Sequence, residues 1–124
     1  MTGTRQTATE YIDCLERRDW PALTALLADD ATYELPQTRE RVHGKGAFLR
    51  FNVEFPGDWH LTIRRVVAEG RDAALWLDVR VGAEQRDACV WLEVSGSGLI
   101  TRIVDYWPEA YDPPPGREHL VERY

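Results

Sequence analysis

Between Trp59 and Trp107 the chain carries four runs rich in β-branched and aromatic residues: about Trp59–Glu69, Ala73–Val81, Arg86–Ser95 and Leu99–Trp107. Their connections are Gly70-Arg71-Asp72, Gly82-Ala83-Glu84-Gln85 and Ser95-Gly96-Ser97-Gly98. Links this short, built from turn residues, join neighbouring antiparallel strands. The second half of the chain is therefore expected to be an antiparallel meander that ends on Leu99–Trp107.

Upstream, the hydrophobic period is near 3.6. Thr7 with Glu10 three residues on reads as a capping box, and Ala8, Tyr11, Ile12 and Leu15 follow at helical spacing. Asp19 can cap a second short helix with Pro21 in its first turn and Leu23, Leu26 and Leu27 inward, closed by Asp29-Asp30. Ala31–Leu35 reads as a short strand stopped by Pro36, Gln37–Arg41 as a loop, and Gly44–Phe55 as a third helix with Phe48, Phe51 and Phe55 on one side. Three helices ahead of one curved sheet make an α+β domain with the helices packed on one face of the sheet. A chain of 124 residues, 44% hydrophobic, has material for one core. It is expected to form a single domain over residues 1–124, with Pro108–Tyr124 as a proline-rich tail folded over a pocket or reaching a partner.

The strand faces carry a second message. Leu75, Leu77, Val79 and Val81 alternate with Ala74, Trp76, Asp78 and Arg80, and Val90 and Leu92 alternate with Cys89 and Trp91. A sheet covered on one side only should be polar on the other, and here neither face is. Homodimerisation through the sheet is the expected solution. The net charge of −6, spread along the chain, disfavours nucleic acid and anionic membranes as partners. With no long apolar run and no leader-like N-terminus, no membrane span and a cytoplasmic location are expected. Cys14 and Cys89 lack metal-ligand spacing and read as buried thiols, and neither His43 nor His60 has a second ligand at metal spacing. No phosphate loop or dinucleotide motif is present, so no metal and no cofactor are expected.

Chemistry centres on Asp105, which shares a strand face with Thr101, Ile103 and Trp107. An aspartate among such neighbours sits at a wet edge or inside a pocket. In a meander Asp78 would lie one intervening strand away, with backbones about 10 Å apart. Two carboxylates in unlike surroundings can divide the roles of acid and base. The alternative has Asp78 paired with Arg80 or Arg102 and Asp105 capping a rim loop. Tyr11, Tyr33 and Trp76 are the aromatic residues expected to face a pocket, although core packing accounts for most of the others.

The order of elements, together with Ala31-Thr32-Tyr33, Val42-His43-Gly44-Lys45-Gly46-Ala47 and above all Gly98–Trp107, resembles the nuclear transport factor 2-like superfamily. That superfamily includes SnoaL-like polyketide cyclases, ketosteroid isomerases and limonene epoxide hydrolases. The resemblance implies a cone in which helices close over a concave sheet around an apolar pocket. The limonene epoxide hydrolase pattern implies Asp78 and Asp105 as catalytic carboxylates and Tyr33 as the residue holding water. The arginine and asparagine of that pattern are replaced here by Trp76 and Leu35. The implied function is a small-molecule pocket with cofactor-independent acid/base chemistry on a hydrophobic cyclic substrate, of isomerase, cyclase or epoxide hydrolase type. The alternative is a non-catalytic binding protein with the same pocket. On either reading the site is Asp105, Asp78 and Tyr33 as catalytic candidates, with Tyr11, Trp76, Leu35, Phe51 and Trp107 against the ligand.

Overall fold

A computed structural model describes residues 3–124. Helix α1 (Thr4–Arg17) starts a turn before the expected capping box: Gly3 is its N-cap, and the Thr7 amide already donates to the Gly3 carbonyl at 3.0 Å. Its buried stripe is Thr7, Ala8, Tyr11, Ile12, Cys14 and Leu15. The helix ends at Arg18, which adopts a left-handed conformation with φ of 58° and lays its guanidinium 3.3 Å from the centre of the Trp59 ring. Helix α2 (Trp20–Ala25) is capped as the sequence predicts, with the Asp19 carboxylate accepting from the Ala22 amide at 3.2 Å.

Asp29 and Asp30 do not close that helix. They lie within strand β1 (Leu27–Leu35), which is longer than expected and pairs with a strand not foreseen, β2 (Glu40–His43). Helix α3 (Lys45–Val53) thus follows two strands rather than preceding the sheet, and packs on β1. The remaining strands are β3 (Trp59–Glu69), β4 (Asp72–Val81), β5 (Glu84–Val94) and β6 (Ile100–Tyr106). They form the expected meander within a six-stranded sheet of order β2-β1-β6-β5-β4-β3. The fold is α+β with an open, curved sheet. One pairing departs from the antiparallel plan, since β1 runs parallel to β6 and makes it an interior strand. Register shifts at Ile63/Arg65 and Glu93/Val94 mark β-bulges, which bend the sheet around the helices.

The core fills the concave side. Leu75, Leu77 and Val79 of β4, Ala88, Val90 and Leu92 of β5, and Ile103 of β6 meet the apolar faces of α1 and α3. Glu16 ties α1 to β3 by accepting from the Leu61 amide at 2.9 Å. Phe48 is the centre of the aromatic packing, with ring centroids 4.9 Å from Tyr33 and 6.3 Å from Tyr11. On the convex side Trp76 and Trp91 are each 46% exposed, with Val67 and Tyr106 beside them. Cys14 is buried as expected, whereas Cys89 lies on this outer face and is exposed, because β5 turns its odd positions away from the helices. From Pro108 on the tail has no helix or strand beyond short turns, Tyr111, Leu120 and Tyr124 are exposed, and none of its residues belongs to the core cluster.

Phe48 is 1% exposed and packs against the rings of Tyr33 and Tyr11. Phe48→Ala is expected to destabilise the fold by about 3–5 kcal/mol in a denaturant titration, the range for emptying a buried aromatic position.

Candidate functional site

Asp105 is 8% exposed and sits at the end of β6, between β1 and β5. Its register partner on β5 is Val90, whose partner on β4 is Leu75. Both of these are buried among the core side chains, so Asp105 points with them toward the concave side. There it borders a hollow lined by Tyr11, Leu15, Tyr33, Phe51, Leu77 and Trp107, among others. Room for the centres of water-sized spheres amounts to about 40 Å³, and the whole atom-free space, open mouth included, to about 490 Å³. Among the described residues Asp105 is the only charged one that borders it.

Tyr33 supplies the strongest contact. Its hydroxyl donates to Asp105 Oδ2 at 2.6 Å inside the protein, a short charge-assisted bond. Burial pushes the Asp105 carboxyl up to about 6, against the opposing pull of the Tyr33 hydroxyl and the Trp107 indole. Both tyrosine hydroxyls, Tyr11 and Tyr33, are driven well above their ordinary value, first by burial and then by the nearby Asp105 charge. They remain protonated donors. Asp105 Oδ1 and Trp107 Nε1 are buried and have no hydrogen-bond partner. The indole therefore favours the anion by proximity without closing a bond of normal geometry onto it.

A row of rings forms one wall. Tyr33 stands 5.4 Å from Phe51, Phe51 5.7 Å from Phe55, and Phe55 6.3 Å from Trp107. Asn52, which the sequence reading did not single out, also borders the hollow, with its amide donating to the Phe48 carbonyl at 2.9 Å. Its position beside Phe51 on the same helix was the available signal. Of the expected ligand-facing residues, Tyr11, Tyr33, Phe51 and Trp107 are brought together with Asp105. Leu35 packs at the margin of the core and does not border the hollow.

Asp78 and Trp76 are elsewhere, and this corrects the expected pairing of two carboxylates in one pocket. Asp78 lies three positions along β4 from Leu75, an odd step that turns it to the convex side with Trp76 and Arg80. It is as little exposed as Asp105, but its cover is its own polar partners. Gln85 donates to it at 2.6 Å, Arg80 at 3.0 Å and Arg64 at 3.2 Å. The Gln85 amide, ahead of Arg80 and Arg64, holds its carboxyl below the ordinary range. Arg64 also faces the Trp76 ring at 5.6 Å. The ion-pair alternative for Asp78 describes this arrangement, with Arg80 and not Arg102 as the partner. Arg102 instead bridges Glu34 and Glu93 at 2.8 and 2.9 Å. Among the described residues no three potential ligands cluster as a metal site, and no helix is long and apolar enough to cross a membrane.

The family model of the SnoaL-like domain matches residues 8–103. The chain belongs to the SnoaL-like domain family. As a SnoaL-like domain it is similar to a solved structure from Kribbella flavida described as a "putative ketosteroid isomerase". The two are 53% identical, with 98% of this chain and 89% of that chain covered and a TM-score of 0.95. An LEH-like epoxide hydrolase from M. tuberculosis shares 22% identity, over 85% of this chain and 82% of that one, with a TM-score of 0.74. A "putative SnoaL-like polyketide cyclase" from Shewanella putrefaciens shares 16%, over 86% and 90%, also at 0.74. These last two share the fold of this SnoaL-like domain. Curated proteins gave no match.

Asp105 leaves a thermodynamic signature in this SnoaL-like domain. Its folded carboxyl holds a proton up to about pH 6, whereas an unfolded aspartate gives it up near 3.8. Its contribution to stability is thus fully present below about pH 4 and is lost as the pH rises to about 6, a change on the order of 3 kcal/mol. Lowered groups such as Asp78 and Glu34 act in the opposite sense, so the Asp105→Asn variant is the needed reference. Urea titrations from pH 4 to 7 should show the wild type losing stability relative to Asp105→Asn as pH rises.

Proposed function

We propose that the hollow under the helices is a small-molecule site in which Asp105 exchanges a single proton with a compact apolar cyclic substrate, an isomerase-type acid/base reaction that needs no cofactor. The observation that carries this reading is the buried carboxylate itself: one oxygen held by Tyr33, the other bare, in a cavity otherwise free of charge. A carboxyl shifted to about 6 is poised to accept and return a proton near neutral pH. The description of the Kribbella flavida relative as an isomerase agrees with one-base chemistry. Two-carboxylate activation of water, as in an epoxide hydrolase, has no support from Asp78, which is occupied by arginines on the other face. Tyr33 serves in this reading to hold Asp105, not to orient water, and Tyr11 and Phe51 shape the wall.

A second reading, a non-catalytic ligand-binding protein, is favoured by the same solitude of Asp105, since a lone carboxylate suffices to anchor a ligand. Cyclohex-3-enone separates the two. Asp105 would take a proton from the carbon between carbonyl and alkene and return it to the far alkene carbon, giving the conjugated ketone. Ultraviolet absorbance is expected to show this conversion, with kcat/KM rising through about pH 6, and Asp105→Asn is expected to slow it by about 10²–10⁴-fold. Equal rates with and without the variant would leave the binding reading.

The convex face supports a second proposal, homodimerisation through the sheet, with Trp76, Trp91, Tyr106 and Val67 as its apolar centre. Light scattering at micromolar concentration is expected to give twice the chain mass, and Trp91→Glu is expected to give the monomer.

A further inference from the structure

Two buried polar atoms beside the hollow make no hydrogen bond of normal geometry, and they are complementary and close to one another: Asp105 Oδ1 is an acceptor and Trp107 Nε1–H is a donor. Asp105 is the penultimate residue of β6 and Trp107 the first residue after that strand, and both border the cavity. The neighbouring groups are already engaged: Tyr33 occupies Oδ2, and the Trp107 backbone amide donates to the Gln37 side-chain oxygen. Leaving a buried donor and a buried acceptor unmet is costly, and the other polar groups on the wall, the Tyr11 hydroxyl and the Asn52 amide, make no hydrogen bond to either. The group that satisfies both is a hydroxyl, which gives one hydrogen bond and accepts another through the same oxygen.

We propose that Trp107 and Asp105 together select a compact apolar molecule bearing a hydroxyl group, such as a phenol or a cyclic alcohol, whose O–H donates to Asp105 Oδ1 while its oxygen accepts from Trp107 Nε1. This rests on the reading of the hollow as a small-molecule site, and a hydroxyl held there occupies the oxygen that would exchange a proton, so such a molecule is a competing ligand and not the substrate of that reaction. It adds the identity of the polar handle and makes Trp107 a specificity-determining residue rather than an apolar wall. An ether or ketone oxygen would engage Trp107 but leave the ionised carboxylate bare. A hydrocarbon would leave both atoms bare.

Phenol, toluene and anisole test the claim, being one-ring molecules with both functions, neither function, and the acceptor alone. Calorimetry on the intact protein at pH 8, where Asp105 is ionised, is expected to show phenol binding about tenfold more tightly than toluene or anisole. In Trp107→Phe the ratio of phenol to toluene affinity should fall several-fold, with retained toluene binding showing that the variant keeps its cavity. The titratable groups facing Asp105 are Tyr11 from α1 and Tyr33 from β1, both protonated throughout. Lowering the pH through about 6 should therefore weaken phenol selectively. Equal affinities for phenol and toluene, or an equal loss of both in Trp107→Phe, would overturn the hydroxyl handle and leave the pocket. If none of the three binds, the pocket reading falls as well.

Discussion

The hydrogen bond from the Tyr33 hydroxyl to Asp105 is the contact on which the interior depends. A carboxylate brought under three helices and a sheet loses its water, and the ionised form survives near neutral pH only where donors replace that water. One donor is in place at 2.6 Å, a second stands near without closing, and the balance leaves the carboxyl at about 6. With three firm donors the group would be an inert structural anion. With none it would be a permanently protonated acid. Its half-satisfied state leaves the carboxyl to titrate near neutral pH.

That contact also organises the fold around it. β1 and β6 are 72 residues apart in the comparison of Tyr33 with Asp105, and they pair in parallel, so the bond spans the one junction of the sheet that no hairpin enforces. Phe48 packs from α3 against Tyr33, its ring tilted by 45°, beside the same junction. The sheet order follows: β6 is drawn into the interior between β1 and β5, and the strand that looks terminal in the sequence becomes central in space.

The alternation of residues made most of this legible. The meander, the helix stripes and the placement of Asp105 with Ile103 and Trp107 follow from periods of 2 and 3.6. The same alternation sets Asp78 in step with Trp76 and Arg80, against Leu75, Leu77 and Val79. The expected pairing of two carboxylates drew on the likeness to epoxide hydrolases and ran against that pattern. β2 escaped because Glu40-Arg41-Val42-His43 is a short, charged edge strand whose composition serves to discourage further pairing, not to fill a core. The parallel join of β1 to β6 was not legible, since nothing local records a contact between residues so distant. The two bare atoms could not be read either. Whether a buried indole finds a partner depends on tenths of an ångström, and sequence specifies only that it is buried.

The walls of the hollow are not equally firm. On the sheet side Leu77, Val90 and Asp105 belong to three adjacent strands whose ladders are continuous there. On the other side α3 has nine residues with an interior Gly46, too few to hold a helix by hydrogen bonding alone. Its stability is borrowed from the rings of Phe48 and Phe51 against Tyr33, and past Phe51 the contacts thin, with Val53 and Phe55 facing solvent. Local opening follows contact density, so the α3 end of the cavity, including Asn52 and Phe55, is the wall that yields first. On the proposed reading of the hollow as a small-molecule site, polar recognition falls to Asp105 and Trp107 at the firm sheet side and size tolerance to the short helix, so that a ligand would be oriented before the aromatic wall settled around it.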